Sequence, residues 1–553
     1  MKIFKTFVFF ALITAAFFMT GCGSKNSLPA ELEQIFKPGS GWLKLGVYGD
    51  PLSLNPLSHI ESDSGQMTQH FVHAAPLHKL EDGTFKPYLF DSYTIYAGSS
   101  GTIILEGVWK SGLKWHDGVD FDPKDLEFTL EQMKKSENAS PYAELAKDVL
   151  EVRSFGRGLR TRIVFARDSR QLLDLLTIGI IPEHVIKDQP VNSAKVEKTG
   201  VASEAWPLFV DQPVGLGPYV IRARQKGRYI DLQPFPDFFD KTARNPVLIR
   251  TYYDYQQLVT DFRAKKLDWI NLPSMVAEQL ETMKIDNLFF IRYPNPACMT
   301  WLFNTRNPVL ADKRLRQALD LLADRKKIAN EAPYKGQTLY SYPTASETAV
   351  DYDSQFAQAL TLLDQMNWKD SDGDGIRDQN GQKLEINVFF NDDNLLRRAV
   401  AERFGEDCRR AGVSLVLKPV TWSELVSKHL KTGDFDTALV SLRFPEFGNL
   451  NSFLHSQQAP GKNDSGLNFF QVADEELDAV LTRLDSMLEI ENVASDKTFL
   501  NEYLQDERPM AVLFRPYDIG IMHEASGSAQ AKCPFWNDVL NWKALFGPAD
   551  SKL

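Results

Sequence analysis

Cysteine is scarce in this chain of 553 residues, which contains four. Cys22 lies close to the amino terminus, so the body of the chain holds Cys298, Cys408 and Cys533. No C-x-x-C pair occurs, and three thiols allow at most one disulfide. The sequence therefore predicts buried thiols or a single bridge, and no cysteine-based metal cluster.

The signatures of several well-known enzyme classes are also missing. The chain has no G-x-S-x-G, no H-E-x-x-H, no G-x-x-x-x-G-K-[ST] and no G-x-G-x-x-G. With 73 acidic residues, carboxylate pairs are too common to nominate a glycosidase pair without geometry. Nothing in the sequence favours catalysis or a cofactor, although missing motifs do not exclude an enzyme.

Positive charge is in deficit. The chain carries 62 Lys and Arg against 73 Asp and Glu, a formal net charge of −11. An acidic surface disfavours nucleic acids and anionic membrane faces as partners. The composition is otherwise that of a globular protein, and the length exceeds what one core usually holds, so two or three lobes are expected.

The amino terminus has the pattern of an export signal. Lys2 and Lys5 precede an apolar run, Phe7–Met19, that is too short to span a membrane comfortably. Met19-Thr-Gly-Cys22 resembles a bacterial lipobox, which implies cleavage before Cys22 and lipid attachment to its thiol. We therefore expect a signal peptide over 1–21 and a tether over 22–41. An ordinary secretory signal with an incidental cysteine is the alternative.

Strands and helices alternate along the rest of the chain, which is typical of an α/β architecture. Leu43–Tyr48 is a predicted strand, and Leu395–Ala411 is a predicted helix between two strands. Tyr219–Arg224 and Tyr229–Gln233 predict a hairpin. Leu315–Leu322 predicts a helix that continues through Ile328.

One segment, Trp115–Met133, joins a turn to a helix start. Asp117-Gly118 is a turn signal, Asp122 can cap the helix, and Pro123 fits its first position. Asp125 adds negative charge to the first turn. Four residues then fall on one helix face: Leu126, Thr129, Leu130 and Met133.

This segment and four others resemble, in order, blocks of the extracytoplasmic solute-binding proteins of family 5, the peptide and nickel binders of ABC importers. One such block is weak, but five in order cover nearly the whole chain beyond residue 40. The other blocks are Asp211–Tyr219, Trp301–Thr305 continuing to Arg316–Arg325, Asn367–Asp378, and Gly433–Val440.

The resemblance implies a two-lobed periplasmic-binding-protein type II fold, α/β in class, with an inserted third subdomain. The lobes are expected to close on a ligand by a hinge motion. The implied boundaries are 42–82 for the first part of lobe I, 83–206 for the inserted subdomain, 207–296 for the second part of lobe I, 297–514 for lobe II, and 515–553 for the return to lobe I.

The ligand contacts are expected beyond the strand Asp436–Val440, because ligands in open α/β sheets sit beyond the carboxyl ends of strands. In peptide-binding relatives this loop typically reads G-W-x-A-D-Y, and its Asp holds the peptide amino group. Here Leu442 or Arg443 replaces the Trp, and the Asp falls on Glu446 or Pro445. The departure puts peptide specificity in doubt, but not the fold.

This loop has three possible interpretations. One is an exposed loop with incidental charges, and the other two give it a role in binding. Glu446 could still meet an ammonium group, or Arg443 could clamp a carboxylate with its planar fork. Trp301 and Tyr48 are expected as strand-end contacts. The predicted ligand-binding residues are Arg443, Phe444, Glu446, Phe447, Trp301 and Tyr48.

Two groups of residues are weaker candidates for a metal site. His70 and His73 could share a helix face and ligate a divalent metal, but no acidic third ligand is evident. Asp370, Asp372 and Asp374 have the spacing at which a calcium loop starts, yet position twelve is Gly381, so a solvated turn is favoured. We expect no bound metal and no cofactor.

The sequence therefore predicts a monomeric, lipid-anchored lipoprotein on the periplasmic or cell-surface side of a bacterial membrane. It is expected to capture oligopeptides, or a related small solute, and to deliver them to the permease subunits of an ABC importer. It is not expected to bind nucleic acid or to be an enzyme. The alternatives are a secreted hydrolase and a surface-binding lipoprotein without a transport role on the same scaffold.

Overall fold

A computed structural model describes most of the chain, which divides into two compact units, Met1–Ser40 and Gly41–Leu553. In the first unit only Ile35 is described. In the second the described residues are 41–51, 53–57, 63–80, 84–135, 140, 142–156, 158–187, 189, 206–241, 245–282, 288–294, 297–331, 336–339, 351–392, 395–442, 450–463, 466–488 and 493–523.

Short strands recur along the whole of the second unit. They are β1 (Leu43–Tyr48), β2 (Leu77–Lys79), β3 (Phe85–Pro87), β4 (Phe90–Ala97), β5 (Ile103–Trp109), β6 (Val149–Phe155), β7 (Arg160–Phe165), β8 (Tyr219–Gln225), β9 (Tyr229–Pro234), β10 (Val247–Tyr252), β11 (Trp269–Pro273), β12 (Leu288–Pro294), β13 (Cys298–Phe303), β14 (Gly336–Thr338), β15 (Asp378–Gln379), β16 (Gln382–Lys383), β17 (Glu385–Asn391), β18 (Ser414–Val420), β19 (Thr437–Leu442) and β20 (Met510–His523).

Helices connect and cover these strands. They are α1 (Asp63–Val72), α2 (Lys124–Lys134), α3 (Ala143–Ala146), α4 (Glu183–Ile186), α5 (Pro207–Asp211), α6 (Tyr255–Arg263), α7 (Ser274–Thr282), α8 (Lys313–Leu321), α9 (Arg325–Glu331), α10 (Tyr352–Gln365), α11 (Leu395–Arg410), α12 (Trp422–Glu424, continuing as a π-helical turn to Leu430), α13 (Asn451–Leu454), α14 (Glu475–Asp485) and α15 (Val493–Glu507). Within the described ranges, no helix is both long and apolar enough to cross a lipid bilayer.

One large mixed sheet of 12 strands organises the unit. Its order is β18-β17-β19-β13-β20-β11-β1-β10-β9-β8, and β12 and β14 also pair with β20. We call β1 and β8–β12 the lobe I strands, and β13, β14 and β17–β19 the lobe II strands. A separate antiparallel sheet, β4-β5-β7-β6, forms the centre of a third part, the β4–β7 subdomain.

Apolar cores cover both faces of the large sheet, as expected for an α/β fold. In lobe I, one cluster includes Phe71 and Trp269, and the other includes Phe262 and Ile270. In lobe II, two further clusters contain the apolar faces of α8–α11 and of α13–α15. The β4–β7 subdomain has a core of its own around Trp115.

The predicted segment after Trp115 is confirmed in its local geometry. Gly118 has φ of +88°, and Asp122 Oδ1 accepts the Lys124 amide at 3.0 Å, just before α2. The predicted helix face is buried: Leu126, Thr129, Leu130 and Met133.

Asp125 lies in the first turn of α2, as predicted, and also makes contacts beyond that helix. Its side chain is buried, and it accepts hydrogen bonds from Trp115 Nε1 at 3.1 Å and from the Glu183 amide at 2.9 Å. Burial raises the pKa of this carboxyl, while these donors oppose the rise. Asp125 therefore fastens α2 to α4 and to the turn before it.

The single helix predicted from Leu315 through Ile328 is wrong, because the chain breaks into α8 and α9. A new helix begins after the break, where Asp324 Oδ1 accepts a hydrogen bond from the Lys327 amide at 3.0 Å and caps α9. The other strands and the hairpin named above are confirmed within one or two residues of their predicted ends.

Gly520 of β20 tests how tightly the lobe I core is packed. A Cβ at this position would lie 2.1 Å from Cη2 of Trp269, whose side chain is fully buried. Gly520→Ala should therefore lower the free energy of unfolding by about 2 kcal/mol through overpacking, as measured by urea denaturation.

Gly405 in the middle of α11 is the matched control, since a Cβ there would meet nothing within 4 Å. Gly405→Ala should raise stability by up to about 1 kcal/mol, because Ala is the better helix former. Equal effects of the two substitutions would contradict the packing described here.

Candidate functional site

One strand, β20, belongs to both lobes. Met510–Phe514 pairs with β13 of lobe II, and Asp518–Met522 pairs with β11 of lobe I. A second connection runs from β12, which also pairs with β20, into β13. The short stretch 515–517 of β20 is therefore the point at which the two lobes meet within one strand.

The carboxyl ends of the parallel strands of both lobes face this stretch. In lobe I, β1, β10 and β11 are parallel, and Pro273 at the end of β11 lies opposite Asp518. In lobe II, β17, β18 and β19 are parallel, and Leu442 at the end of β19 lies opposite Cys298, where β13 begins. Ligands of open α/β sheets bind beyond such ends, so the two carboxyl edges form the candidate site.

Tyr48, a predicted ligand contact, ends β1 at the lobe I carboxyl edge. Its ring stacks on that of Tyr255 at the start of α6, with centroids 4.3 Å apart and planes 14° from parallel. Tyr48 is 46% exposed, although every other residue of β1 is buried. The arrangement presents an aromatic surface to solvent at the place where the fold predicts ligand.

Arg224 of β8 holds the chain that leaves β1. Its side chain is 2% exposed, and its Nη2 donates to Asp50 Oδ2 at 3.1 Å and to the Pro51 carbonyl at 2.7 Å. Its Nη1 reaches Asp211 Oδ1 at 3.4 Å. Arg224 therefore holds Asp50 and Pro51, the residues that follow shortly after Tyr48, in place.

The lobe II edge carries an aromatic residue that sequence analysis missed. Trp422 follows β18 and begins α12, and its side chain is 47% exposed. The guanidinium of Arg397, at the start of α11, lies 5.3 Å from the Trp422 ring centroid and donates to Asn391 Oδ1 at the end of β17. An aromatic residue placed just after a predicted strand was the available signal.

Cys298 lies at the same edge, but its thiol is buried. It is buried at the start of β13, and Arg515 Nε donates to its Sγ at 3.4 Å. Burial raises the pKa of the thiol. Cys408 is also a free, buried thiol, so the expectation of buried thiols is confirmed for these two, and Cys533 lies outside the described residues.

Trp301 has a different place from the one expected. It sits in the middle of β13, is fully buried, and packs edge-on against Phe404 of α11 with centroids 4.3 Å apart. Its position in the strand directs the ring to the helical layer, away from the carboxyl edge. This burial corrects the expectation that Trp301 contacts ligand.

The remaining predicted contacts lie on the loop that continues from β19. Arg443, Phe444, Glu446 and Phe447 lie outside the described residues. What the structure places is the start of that loop, since Leu442 ends β19 at the lobe II carboxyl edge. Their roles stay predictions.

The histidine candidates do not form a described metal site. His73 is buried, its Nε2 lies 2.9 Å from the Leu54 carbonyl, and burial lowers its pKa to about 3. Neither His70 nor His73 belongs to a described group of three convergent metal-ligand atoms. His73 is therefore a buried residue of the core, where it contacts the Leu54 carbonyl.

A convergent acidic group does occur at Asp370, Asp372 and Asp374, whose carboxylates lie within 4.8 Å of one another. All three are exposed. Asp370 accepts the amides of Gly373 and Gly375, and Lys383 pairs with Asp374. These contacts fit the solvated turn favoured by the sequence.

The two lobes, the strand that crosses between them and the facing carboxyl edges define a two-lobed solute-binding fold. Comparison with family models agrees: residues 110–465 match the bacterial extracellular solute-binding proteins, family 5. This match spans more than half of the chain, and the chain belongs to that family.

Similar proteins extend the match to nearly the whole chain. This chain is 24% identical over 525 residues to the oligopeptide-binding protein AppA of Bacillus subtilis, covering 91% of this chain and 92% of that protein. A putative ABC transporter peptide-binding protein of Brucella ovis is 23% identical over 397 residues, 69% of each chain.

Solved structures share the fold. A putative peptide-binding protein AppA from Clostridium difficile has a TM-score of 0.72 at 16% identity, covering 92% of this chain and 100% of that chain. NikA from Brucella suis, in complex with Fe(III)-EDTA, has a TM-score of 0.70 at 18% identity, covering 88% and 96%. The predicted two-lobed type II fold is confirmed, whereas the residue boundaries of its parts stay predictions.

Arg224 should be the main support of the chain that leaves β1. Arg224→Met would leave the partly buried Asp50 carboxylate and the Pro51 carbonyl without this donor. We expect a loss of about 3 kcal/mol in the free energy of unfolding, as for other broken buried ion pairs, measured by urea denaturation.

Lys226 is the control, because it pairs with the same Asp211 at 2.8 Å while its side chain is 61% exposed. Lys226→Met should cost less than about 1 kcal/mol. A loss as large as that of Arg224→Met would show that the pair with Asp211, and not the contact with Asp50 and Pro51, supports the site.

Proposed function

We propose that this protein captures an oligopeptide, or a related small solute, between its lobes and delivers it to the permease of an ABC importer. The observation that carries the proposal is the meeting of two sets of strand carboxyl ends at residues 515–517, with exposed Tyr48 on one edge and Trp422 on the other. Membership of the family and the peptide-binding names of the relatives support it.

The mechanism follows from the way the lobes are joined. Lobe I and lobe II share β20 and the connection from β12 to β13, so a small change of backbone angles there reorients whole lobes. Closure would bring the two carboxyl edges onto the solute and exclude water, which strengthens each polar contact. Aromatic surfaces at the edges suit a solute with apolar side chains.

The loop that follows Leu442 is our candidate for the charged anchors. Either Glu446 would accept hydrogen bonds from the amino group of a peptide, or Arg443 would instead hold a carboxylate in a bidentate pair. The loop starts at the lobe II carboxyl edge, which supports this assignment. The two alternatives involve different ends of a peptide, so they can be tested separately.

Glu446→Gln should weaken binding of peptides with a free amino terminus by on the order of tenfold, the usual size of a lost charged hydrogen bond. The affinity for the same peptides with an acetylated amino terminus should be unchanged. Arg443→Met should likewise weaken binding of peptides with a free carboxyl terminus. It should not change the affinity for the same peptides with an amidated carboxyl terminus. Isothermal titration calorimetry against matched peptide sets measures both effects.

The control is Glu476→Gln, an exposed change in the first turn of α14. Wild-type protein without affinity for any of these peptides would refute the peptide proposal. Recovery of intact peptide after incubation is expected of a binding protein. Cleavage products that persist in highly purified protein would instead favour the hydrolase alternative.

We propose further that the mature protein acts as a lipid-anchored monomer outside the cytoplasm, with Cys22 as the lipidated residue. Cys22 and its neighbours lie outside the described residues. The lipobox-like sequence Met19-Thr-Gly-Cys22 supports the assignment, as does the extracellular character of the family.

Cys22→Ser should remove the thiol that carries the lipid. In a bacterial host, the wild-type protein should fractionate with membranes, and the variant should not. Detergent partitioning and mass spectrometry of the amino-terminal peptide measure the difference. Cys533→Ser is the control, and equal membrane association of Cys22→Ser and wild type would contradict the lipid anchor.

A further inference from the structure

Two Asp-Ser pairs, more than 300 residues apart, bind each other reciprocally. Asp168 and Ser169 precede the 3₁₀ helix Arg170–Thr177 of the β4–β7 subdomain, whereas Asp485 ends α14 of lobe II and Ser486 follows it. Ser169 Oγ donates to Asp485 Oδ2 at 2.6 Å. Ser486 Oγ donates to Asp168 Oδ2 in return.

A third polar contact and an apolar one complete the junction. The Met487 amide donates to Asp168 Oδ1 at 2.6 Å, and the Met487 side chain joins the apolar cluster that contains Leu172 and Leu176 of the subdomain. Ser169 is 0% exposed and Asp485 is 3% exposed. The Ser169–Asp485 contact is therefore shielded from water, whereas Asp168 is half-buried.

The two sides of the junction belong to different cores. Leu477 and Leu481 of α14 pack in a lobe II cluster, together with residues of α15. The subdomain core includes residues from the chain around β2, such as Leu57 and Ala74, and Leu216 just before β8 of lobe I. The junction thus bridges lobe II to the subdomain, whose core also includes segments that lead into lobe I.

We propose that Asp168, Ser169, Asp485 and Ser486 form an interlobe clasp that holds the lobes together and must break when the cleft opens. The proposal rests on the proposed function, in that it assumes lobes that open and close. Because the contacts occupy one short stretch on each side, a rigid-body movement of lobe II breaks all of them together. The clasp would therefore set how readily a solute enters and leaves.

Charged groups around the Asp485 carboxyl make the clasp sensitive to pH. Burial raises the pKa of Asp485 to about 7, and the Asp168 carboxylate adds to the rise. The Ser169 hydroxyl, the Arg167 guanidinium and the Gln171 backbone amide act in the opposite direction. Arg167 itself pairs with the Asp148 carboxylate at 2.7 Å.

Opening would return Asp485 to water, where an aspartate has a pKa of about 3.9. The closed clasp therefore holds a proton more tightly than the open one. Linkage then makes the clasp strongest in acid, and it weakens as pH rises from about 4 to about 7. Between pH 5 and pH 8 the population of the closed clasp should fall.

The Met487 amide is a direct reporter, since it donates across the junction. Hydrogen exchange of this amide is measured in the full chain without solute. Ser169→Ala and Ser486→Ala should each lower its protection, and the double variant should lower it by about tenfold. Small-angle X-ray scattering should show a larger radius of gyration in the double variant.

A matched control contact involves Asp478 of the same helix, α14. Ser456 Oγ donates to Asp478 Oδ2 at 2.5 Å, a contact of the same chemistry entirely within lobe II. Ser456→Ala should leave Met487 protection and the radius of gyration unchanged. Wild-type protection in the double variant, or an equal loss in Ser456→Ala, would overturn the clasp.

Asp485→Asn tests the pH dependence, because an amide keeps the shape but does not titrate. The protection factor of Met487, corrected for intrinsic exchange, should be higher at pH 5 than at pH 8 in wild type and level in the variant. A level wild-type profile would overturn the pH dependence. None of these measurements uses a solute, so a failure of peptide binding would refute the proposed function and leave the clasp standing.

Discussion

The pairing of β20 with strands of both lobes is the constraint on which the rest of the structure depends. Its first residues hydrogen-bond to β13 and its last residues to β11, each in antiparallel register. That register fixes the direction of every neighbouring parallel strand in the two lobes. The meeting of their carboxyl ends at residues 515–517 is therefore a consequence of one strand that is shared by the two lobes.

The residues that make the family recognisable mostly support this framework. Arg325 Nε donates to the Val512 carbonyl of β20, and Arg316 Nη2 donates to Glu507 just before it. Asn304 Nδ2 donates to the Phe435 carbonyl at 2.7 Å, which ties one family block to another. Such contacts fix α8, α9 and the start of β19.

Much of the fold was predictable because its signals are local. The pattern of Leu43–Tyr48 predicted β1, and the turn and cap before α2 identified its start. Trp115–Met133 is accordingly a feature of the scaffold. The break between α8 and α9 was missed because the apolar spacing continues across it, while Asp324 caps a new helix.

The candidate site was less predictable, since residues with similar local signals have opposite fates. Tyr48 and Trp301 are both aromatic residues of buried strands, yet Tyr48 ends β1 and reaches solvent, whereas Trp301 lies within the core of lobe II. For Trp422 the local signal was only its place after a predicted strand, and the parallel pairing of β17 and β18 brings it to the lobe II edge.

The sequence by itself determined the class of fold, the order of its elements and the family, because periodicity, helix caps and motif order depend on residues that are close together in the sequence. Only the tertiary structure decided which side chains reach the cleft edges, and that Asp168 and Asp485 meet across the molecule. The reason is physical: local pattern reports burial and turn chemistry, whereas strand register brings together residues hundreds of positions apart.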